Sequence, residues 1–199
     1  MTAGVITAAR EALGPVGAYL PLGFTSAPPV DMQRAAVGRL ERAGFRTAWT
    51  NEVIGGKDAL VQLAVLLAAT ERMVFGTGIA NVWARQPQTM HAAAAMLAQA
   101  FPRRLVLGLG VGYPEQAASA GHEFGRPLAT MRDYLRHMDD QTWPPAADVG
   151  YPRIVGAMGP KLLALGASTR TGRCPPGCPL RSPRRPGRCW ARTNCSSSV

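Results

Sequence analysis

Asn51 and Glu52 directly follow the short run Thr47–Thr50, which has the β-branched and aromatic make-up of a strand. Polar residues just past a strand end can point into a pocket. There a carboxylate can move a proton and an amide can hold a substrate oxygen or a ring nitrogen; the same pair could also lie in a solvated loop. Trp83 could stack on a ring and Arg85 could hold an anion, or both could serve surface packing. Gly76, Gly78, Gly108, Gly110 and Gly112 strip side chains from two other strand exits. Bare backbone allows a cofactor to approach, or lets strand ends pack closely and turn through positive φ. Of the histidines, His91 sits on an Ala-rich face and reads as a core residue. His122 falls in a loop after a strand and is a credible site position, while His137 suits the end of a helix. GLGVGY at 108–113 is a fragment of a dinucleotide fingerprint, but the next helix arrives late; there is no phosphate-binding Walker loop.

These residues need elements to place them, and the chain supplies a repeating strand–helix series. Strands are expected over Val16–Leu22, Thr47–Thr50, Met73–Gly78, Leu105–Gly110 and Ile154–Ala157. Helices are expected over Met32–Ala43, with Asp31 as N-cap, a Met32/Ala36/Leu40/Ala43 apolar face and Gly44 as the stop, and over about Asp58–Thr70. Further helices follow from Pro87 to Ala100, from near Pro127, and over Pro160–Ala167. Strand starts recur about every 30 residues, which is the spacing of parallel βα units with right-handed crossovers. An eightfold barrel needs roughly 240–250 residues; the regular part here holds about five units. In parallel sheets of this kind the chemistry sits where the strands end.

The chain has 199 residues, 47% of them hydrophobic, enough for one sizeable core. No apolar run reaches the roughly 20 residues of a membrane span. The N-terminus lacks the basic start and apolar stretch of a signal peptide, so a cytoplasmic location is expected. The net charge of +10 is unevenly spread. Residues 167–199 hold seven arginines and no acid, so residues 1–166 carry only the remaining +3. All four cysteines (Cys174, Cys178, Cys189, Cys195) and five prolines lie in the same tail. The tail admits three readings. It could be a basic nucleic-acid arm. It could be a zinc site, although the three- and five-residue gaps between cysteines are wider than compact sites use. It could be a frame-shifted stretch, because read one base earlier every Cys codon becomes Leu, Val or Met. With GC-rich codons the shifted tail can then spell an ordinary helix end and strand. The chain thus divides into an N-terminal extension (1–14), a βα portion (15–166) and an irregular tail (167–199).

The run GTGIANVWARQPQTMHAAAAMLAQAFPRRLVLGLGVGYPE (76–115), followed by GHEFGRPLATMRDYLRHMD (121–139) and MGPKLLALGA (158–167), resembles the luciferase-like monooxygenase superfamily. It looks most like the branch that uses the deazaflavin coenzyme F420. The resemblance implies an α/β fold of the (β/α)8 TIM-barrel type, present here as a partial barrel of about five units. It implies hydride transfer between F420 and an organic small molecule, with FMN as the alternative cofactor and no metal. It places a non-prolyl cis peptide behind the flavin ring at Asn81–Val82, within a cofactor-binding stretch of Gly78, Ala80, Asn81 and Val82. A second cofactor-facing loop is Gly110, Val111 and Gly112. Asn51 and Glu52 match a position of polar catalytic or ring-contacting residues. At Gly112-Tyr113 relatives carry Ser-His or an acid, so a proton-transfer role there would fall to Tyr113 or Glu115. In the family the later strand ends help bind the coenzyme's phosphate. Two readings of another class stand beside this one: an inactive remnant, and a nucleic-acid-binding protein acting through its tail. No membrane partner is expected, and a homodimer is left open.

Overall fold

The computed structural model describes residues 13–20 and 28–168. The expected tail, all but its first two residues, and most of the expected N-terminal extension lie outside the described residues. Six parallel strands make the sheet: β1 (Ala18–Tyr19), β2 (Thr47–Thr50), β3 (Val74–Thr77), β4 (Ala80–Asn81), β5 (Leu105–Gly110) and β6 (Arg153–Val155). β1 pairs with β2 and β2 with β3; β5 takes β3 and β4 on its ladder and also pairs with β6. The helices are α1 (Val30–Arg42), α2 (Ala59–Ala68), α3 (Pro87–Ala100), α4 (Pro114–Ser119), α5 (Pro127–Met138) and α6 (Pro160–Ser168).

Alternation along the strands separates two faces. Ala48, Phe75, Leu105, Leu107 and Leu109 point to the helices and pack with Leu60, Leu63, Leu67, Met90, Ala94, Met131, Leu135 and Met138. The opposite, inner face carries Trp49, Gly76, Val106, Gly108, Gly110, Ile154 and Gly156. Burying apolar area is the main favourable term in folding, so the helix-covered face holds the core.

β3 and β4 are one strand interrupted by a bulge. Residues 75 and 76 face 105 and 106, but 80 and 81 face 109 and 110. Three residues, 77–79, therefore stand opposite two, which is the signature of a β-bulge. The cis peptide bond lies inside it, at Gly78–Ile79. This corrects the expected position at Asn81–Val82. There the chain has already rejoined the ladder: Asn81 pairs with Gly110, and Val82 N donates to Gly110 O at 3.0 Å.

Other departures have local causes. α1 begins at Val30, with Pro29 as N-cap; Asp31 lies inside the first turn and pairs with Arg34 at 3.3 Å instead of capping. Its buried residue is Val37, whereas Met32 is exposed, because Gln33 turns inward to accept from Gln62 at 2.7 Å. α4 was not expected from the sequence; its six residues carry too little periodicity to be seen. Gly44 adopts φ 87° and ends the first helical segment as expected.

Candidate functional site

The bulge is built by side chains that replace missing ladder contacts. Thr77 Oγ1 donates to Gly108 O at 2.7 Å and accepts from Gly108 N at 2.8 Å, so one hydroxyl bridges the break. A Cβ on Gly108 would stand 2.0 Å from Thr77 O, so only glycine fits opposite the bulge. On the other side Gly78 N donates to Thr50 O (2.6 Å) and Glu52 N to Ile79 O (3.0 Å).

Glu52 closes the arrangement. Its Oε2 accepts from Asn81 N at 2.7 Å, and its Oε1 accepts from Arg85 and from Ala59 N at the start of α2. Arg85 also reaches Asp58 Oδ2 at 2.8 Å, while Asp58 Oδ1 caps α2 through Leu60 N and Val61 N. Burial alone would lower the Arg85 pKa, but Glu52 and Asp58 outweigh it and raise it, so the guanidinium stays charged. Both carboxylates and the guanidinium are thus committed to one another and to backbone.

The inner face beside the bulge is an apolar shelf resting on glycines. The Trp49 ring lies where Cβ atoms on Gly17 and Gly76 would sit, 3.1 and 2.3 Å away, and Ile79 lies 2.7 and 2.9 Å from such atoms on Gly110 and Gly156. Tyr19 OH donates to Gly78 O at 2.8 Å. Tyr19 is exposed, and Trp49 and Ile79 are half-buried. Tyr19, Trp49 and Ile79 were not singled out in the sequence. Their signal was the glycines at alternate positions, 76/78 and 108/110: a row without side chains on one face implies a large side chain lying across it.

The expected site residues are distributed as follows. Asn51 is half-buried at the end of β2, and its Oδ1 accepts from Lys57 Nζ at 3.5 Å. Glu52 is buried in the clamp. Ala80, Asn81 and Val82 are buried, with Ala80 and Val82 in the core cluster. Asn81 Nδ2 donates to Gln116 Oε1 at 3.2 Å and its Oδ1 accepts from Trp83 N at 3.0 Å. Gly110 makes room for Ile79, and Gly112, at φ 57°, makes room for Gln116 and Asn81. Val111 O accepts from Trp83 Nε1 at 2.7 Å, and the Trp83 ring packs with His122 and Phe124. Gly78 alone of these glycines has only ordinary contacts at its Cβ position. Tyr113 is exposed at the head of α4, its N–H donating to Gln116 Oε1 at 3.0 Å. His91 Nδ1 is 2.7 Å from Tyr151 OH, a packing role.

Cavities lie beside the sheet at two places among the described residues. The larger, about 420 Å³, lies between His91 and residues 138–149, in the loop that leads into β6. The smaller, about 300 Å³, lies at the exit of β2 and is lined by residues 52–58 with Ala84 and Arg85. Parallel βα folds place chemistry at strand exits; the smaller cavity lies at such an exit and shares no lining residue with the Tyr19–Trp49–Ile79 shelf. Among the described residues no group of three or more His, Cys, Asp or Glu is placed to hold a metal, and no helix is long and apolar enough to cross a membrane.

Residues 1–175 match the family model for luciferase-like monooxygenases. A candidate coenzyme F420-dependent oxidoreductase of Mycobacterium tuberculosis is 30% identical over 190 residues, covering 78% of this chain and 54% of the relative. The 5,10-methylenetetrahydromethanopterin reductase of Methanolobus tindarius is 25% identical, covering 66% of this chain and 46% of its own length. The chain thus spans about half the length of the curated relatives it matches. The coenzyme F420-dependent tetrahydromethanopterin reductase of Methanopyrus kandleri superposes with a TM-score of 0.56 at 19% identity, over 74% of this chain and 51% of that one. The oxygenating constituent of 3,6-diketocamphane monooxygenase of Pseudomonas putida, solved with FMN, gives 0.56 at 15% identity, over 62% of this chain and 38% of that one. These two share the fold: parallel βα units of a luciferase-like TIM barrel, of which this sheet is a part. On the match to 175 of its 199 residues, the chain belongs to the luciferase-like monooxygenase family.

Proposed function

We propose that this chain is a coenzyme F420-dependent oxidoreductase, acting on an organic small molecule. The observation that carries the reading is the bulge at Thr77–Ile79 with its inner-face shelf of Tyr19, Trp49 and Ile79 at the strand exits. Such a shelf suits a flat, largely apolar ring system, which would lie on the aromatic and aliphatic side chains seated over the glycines. Gly78 and the 110–112 loop would border the ring, and Asn51 would hold a polar substrate or ring atom. The deazaflavin, when bound, supplies the hydride acceptor or donor; the protein supplies position and exclusion of water. Glu52 acts here as a positioning residue, through Asn81 N and Arg85, rather than as a free base. Tyr113, exposed at the rim, is given no proton transfer.

F420 is favoured because the relatives at 25–30% identity are named for F420-dependent or methanopterin chemistry. FMN is the second reading, favoured by the fold shared with an FMN-bound monooxygenase. Titrating the purified chain with F420 and with FMN, followed by ring fluorescence, tests both. Saturable F420 binding at the tighter Kd is expected. Tighter FMN binding would replace the cofactor, and binding of neither would overturn the reading in favour of a remnant without this activity.

A further inference from the structure

The chain has twenty arginines but only two lysines, Lys57 and Lys161. Lys57 closes a tight turn at the exit of β2: Val53 N donates to Lys57 O (3.1 Å) and Lys57 N to Val53 O (2.8 Å). It lines the 300 Å³ cavity together with Glu52, Asp58 and Arg85. In the clamp the single Arg85 guanidinium pairs with both carboxylates, Glu52 and Asp58, so these three groups leave a net charge of −1 that is already held against Arg85. Lys57 has no carboxylate within 4.0 Å among the described residues. Its Nζ donates instead to Thr50 Oγ1 at 2.8 Å and to Asn51 Oδ1 at 3.5 Å.

The first of these bonds starts a one-way relay. Thr50 Oγ1 donates to Gln62 Oε1 (2.6 Å), Gln62 Nε2 to Gln33 Oε1 (2.7 Å), and Gln33 Nε2 to Pro28 O (2.7 Å). Every hydroxyl and amide in the series is used in the direction that leaves an acceptor facing the ammonium. The side chain is therefore fixed, and fixed as a donor. Two of its three N–H bonds are occupied, and the third has no protein acceptor within reach among the described residues. Half-burial without a counter-charge lowers its pKa, the cost of holding a cation away from water with only neutral oxygens around it.

We propose that Lys57 is an oxyanion-binding residue: its free N–H holds a carboxylate or phosphate oxygen of a molecule entering the cavity at the β2 exit. An anion there would supply both the missing counter-charge and the missing acceptor. Asn51, which shares the ammonium, would then contact the same molecule through its amide N–H bonds. This deepens the proposed function only in placing the reacting centre at these strand exits; the anion could belong to the substrate or to the coenzyme.

The test uses the full chain and its two lysines. Reductive methylation with formaldehyde and cyanoborohydride, mapped by mass spectrometry, is run with and without inorganic phosphate or acetate. Expected is a roughly tenfold slower labelling of Lys57 at saturating anion, with Lys161 as the internal control unchanged. Equal labelling of Lys57 with and without either anion overturns the assignment, as does equal slowing at both lysines. K57M and K57R then identify the source. If the oxyanion is the coenzyme's, K57M weakens F420 or FMN binding about tenfold and K57R restores part of it. If it is the substrate's, ring binding is unchanged while phosphate and acetate no longer compete with substrate. Protection of Lys57 in a chain that binds neither ring would refute the proposed function and leave the anion site standing.

Discussion

At the residue scale the decisive group is Glu52, and its chemistry is set by what it touches. A carboxylate behind a strand invites a catalytic reading. Here it holds Asn81 N and the Arg85 guanidinium, with its side chain only 1% exposed. Replacing Glu52 removes one of the two carboxylates on Arg85 and leaves Asp58 as the other. Glu52→Gln is expected to cost about 1.5–3 kcal/mol in urea unfolding through the weakened charged hydrogen bonds; a loss below about 0.5 kcal/mol would show that the clamp is not structural. Gly108→Ala places a methyl 2.0 Å from Thr77 O, a backbone atom that cannot swing aside. A loss of at least ~2 kcal/mol is expected. Gly159→Ala, with nothing within 4 Å and no positive φ, should stay within about 0.5 kcal/mol. The sequence showed Glu52 and Gly108 as candidates, but their partners are 29 and 31 residues away in the chain, so their roles could not be read from spacing.

At the element scale, the strands and helices other than β4 and α4 followed from periodicity and punctuation. α3 spans Pro87–Ala100 as expected because a first-turn proline opens it and an Ala/Met/Leu run continues it. The bulge between β3 and β4 escaped, because Gly-Thr-Gly-Ile-Ala reads as an ordinary strand exit and the extra residue exists only relative to β5. The turn before β3 depends on a different distant group. Glu41, near the end of α1, accepts from Glu71 N, Arg72 N and Met73 N at 2.7–3.2 Å. Burial alone would raise its pKa; those three N–H donors and the Arg72 charge outweigh it and lower it below 4.5. A carboxylate depressed in the folded state stabilises it above its unfolded pKa and loses that contribution as pH falls through the folded value. Because Glu41 is only partly buried and solvent screens it, the effect is on the order of 1 kcal/mol or less. Glu41→Gln should flatten the dependence of unfolding free energy on pH below about 5; an unchanged acid limb would show that the three N–H bonds are not what anchors the turn.

At the scale of the whole molecule, the sheet buries one face under helices and lays Trp49 and Ile79 over the glycines of the other. A ring bound on that inner face would bind the folded chain and not the unfolded one. At a hundredfold excess over its Kd it should raise the unfolding free energy by about 2.7 kcal/mol. Thermal unfolding with and without F420 measures this, and an unchanged midpoint under saturating F420 would remove the shelf from consideration as its site. Patterns along the chain alone were enough for the parallel βα order, the positions of the main helices and the family. Those depend on local patterns: periodicity, proline and glycine punctuation, and motifs that run continuously along the chain. The clamp made by Glu52, the cis peptide bond at Gly78–Ile79, the seating of Trp49 and Ile79 on glycines, and a Lys57 with no carboxylate within 4.0 Å among the described residues emerge only from the folded arrangement. Each of these is a relation between residues on neighbouring strands or helices. Register, packing distance and charge pairing across the sheet exist only once the strands have been laid side by side.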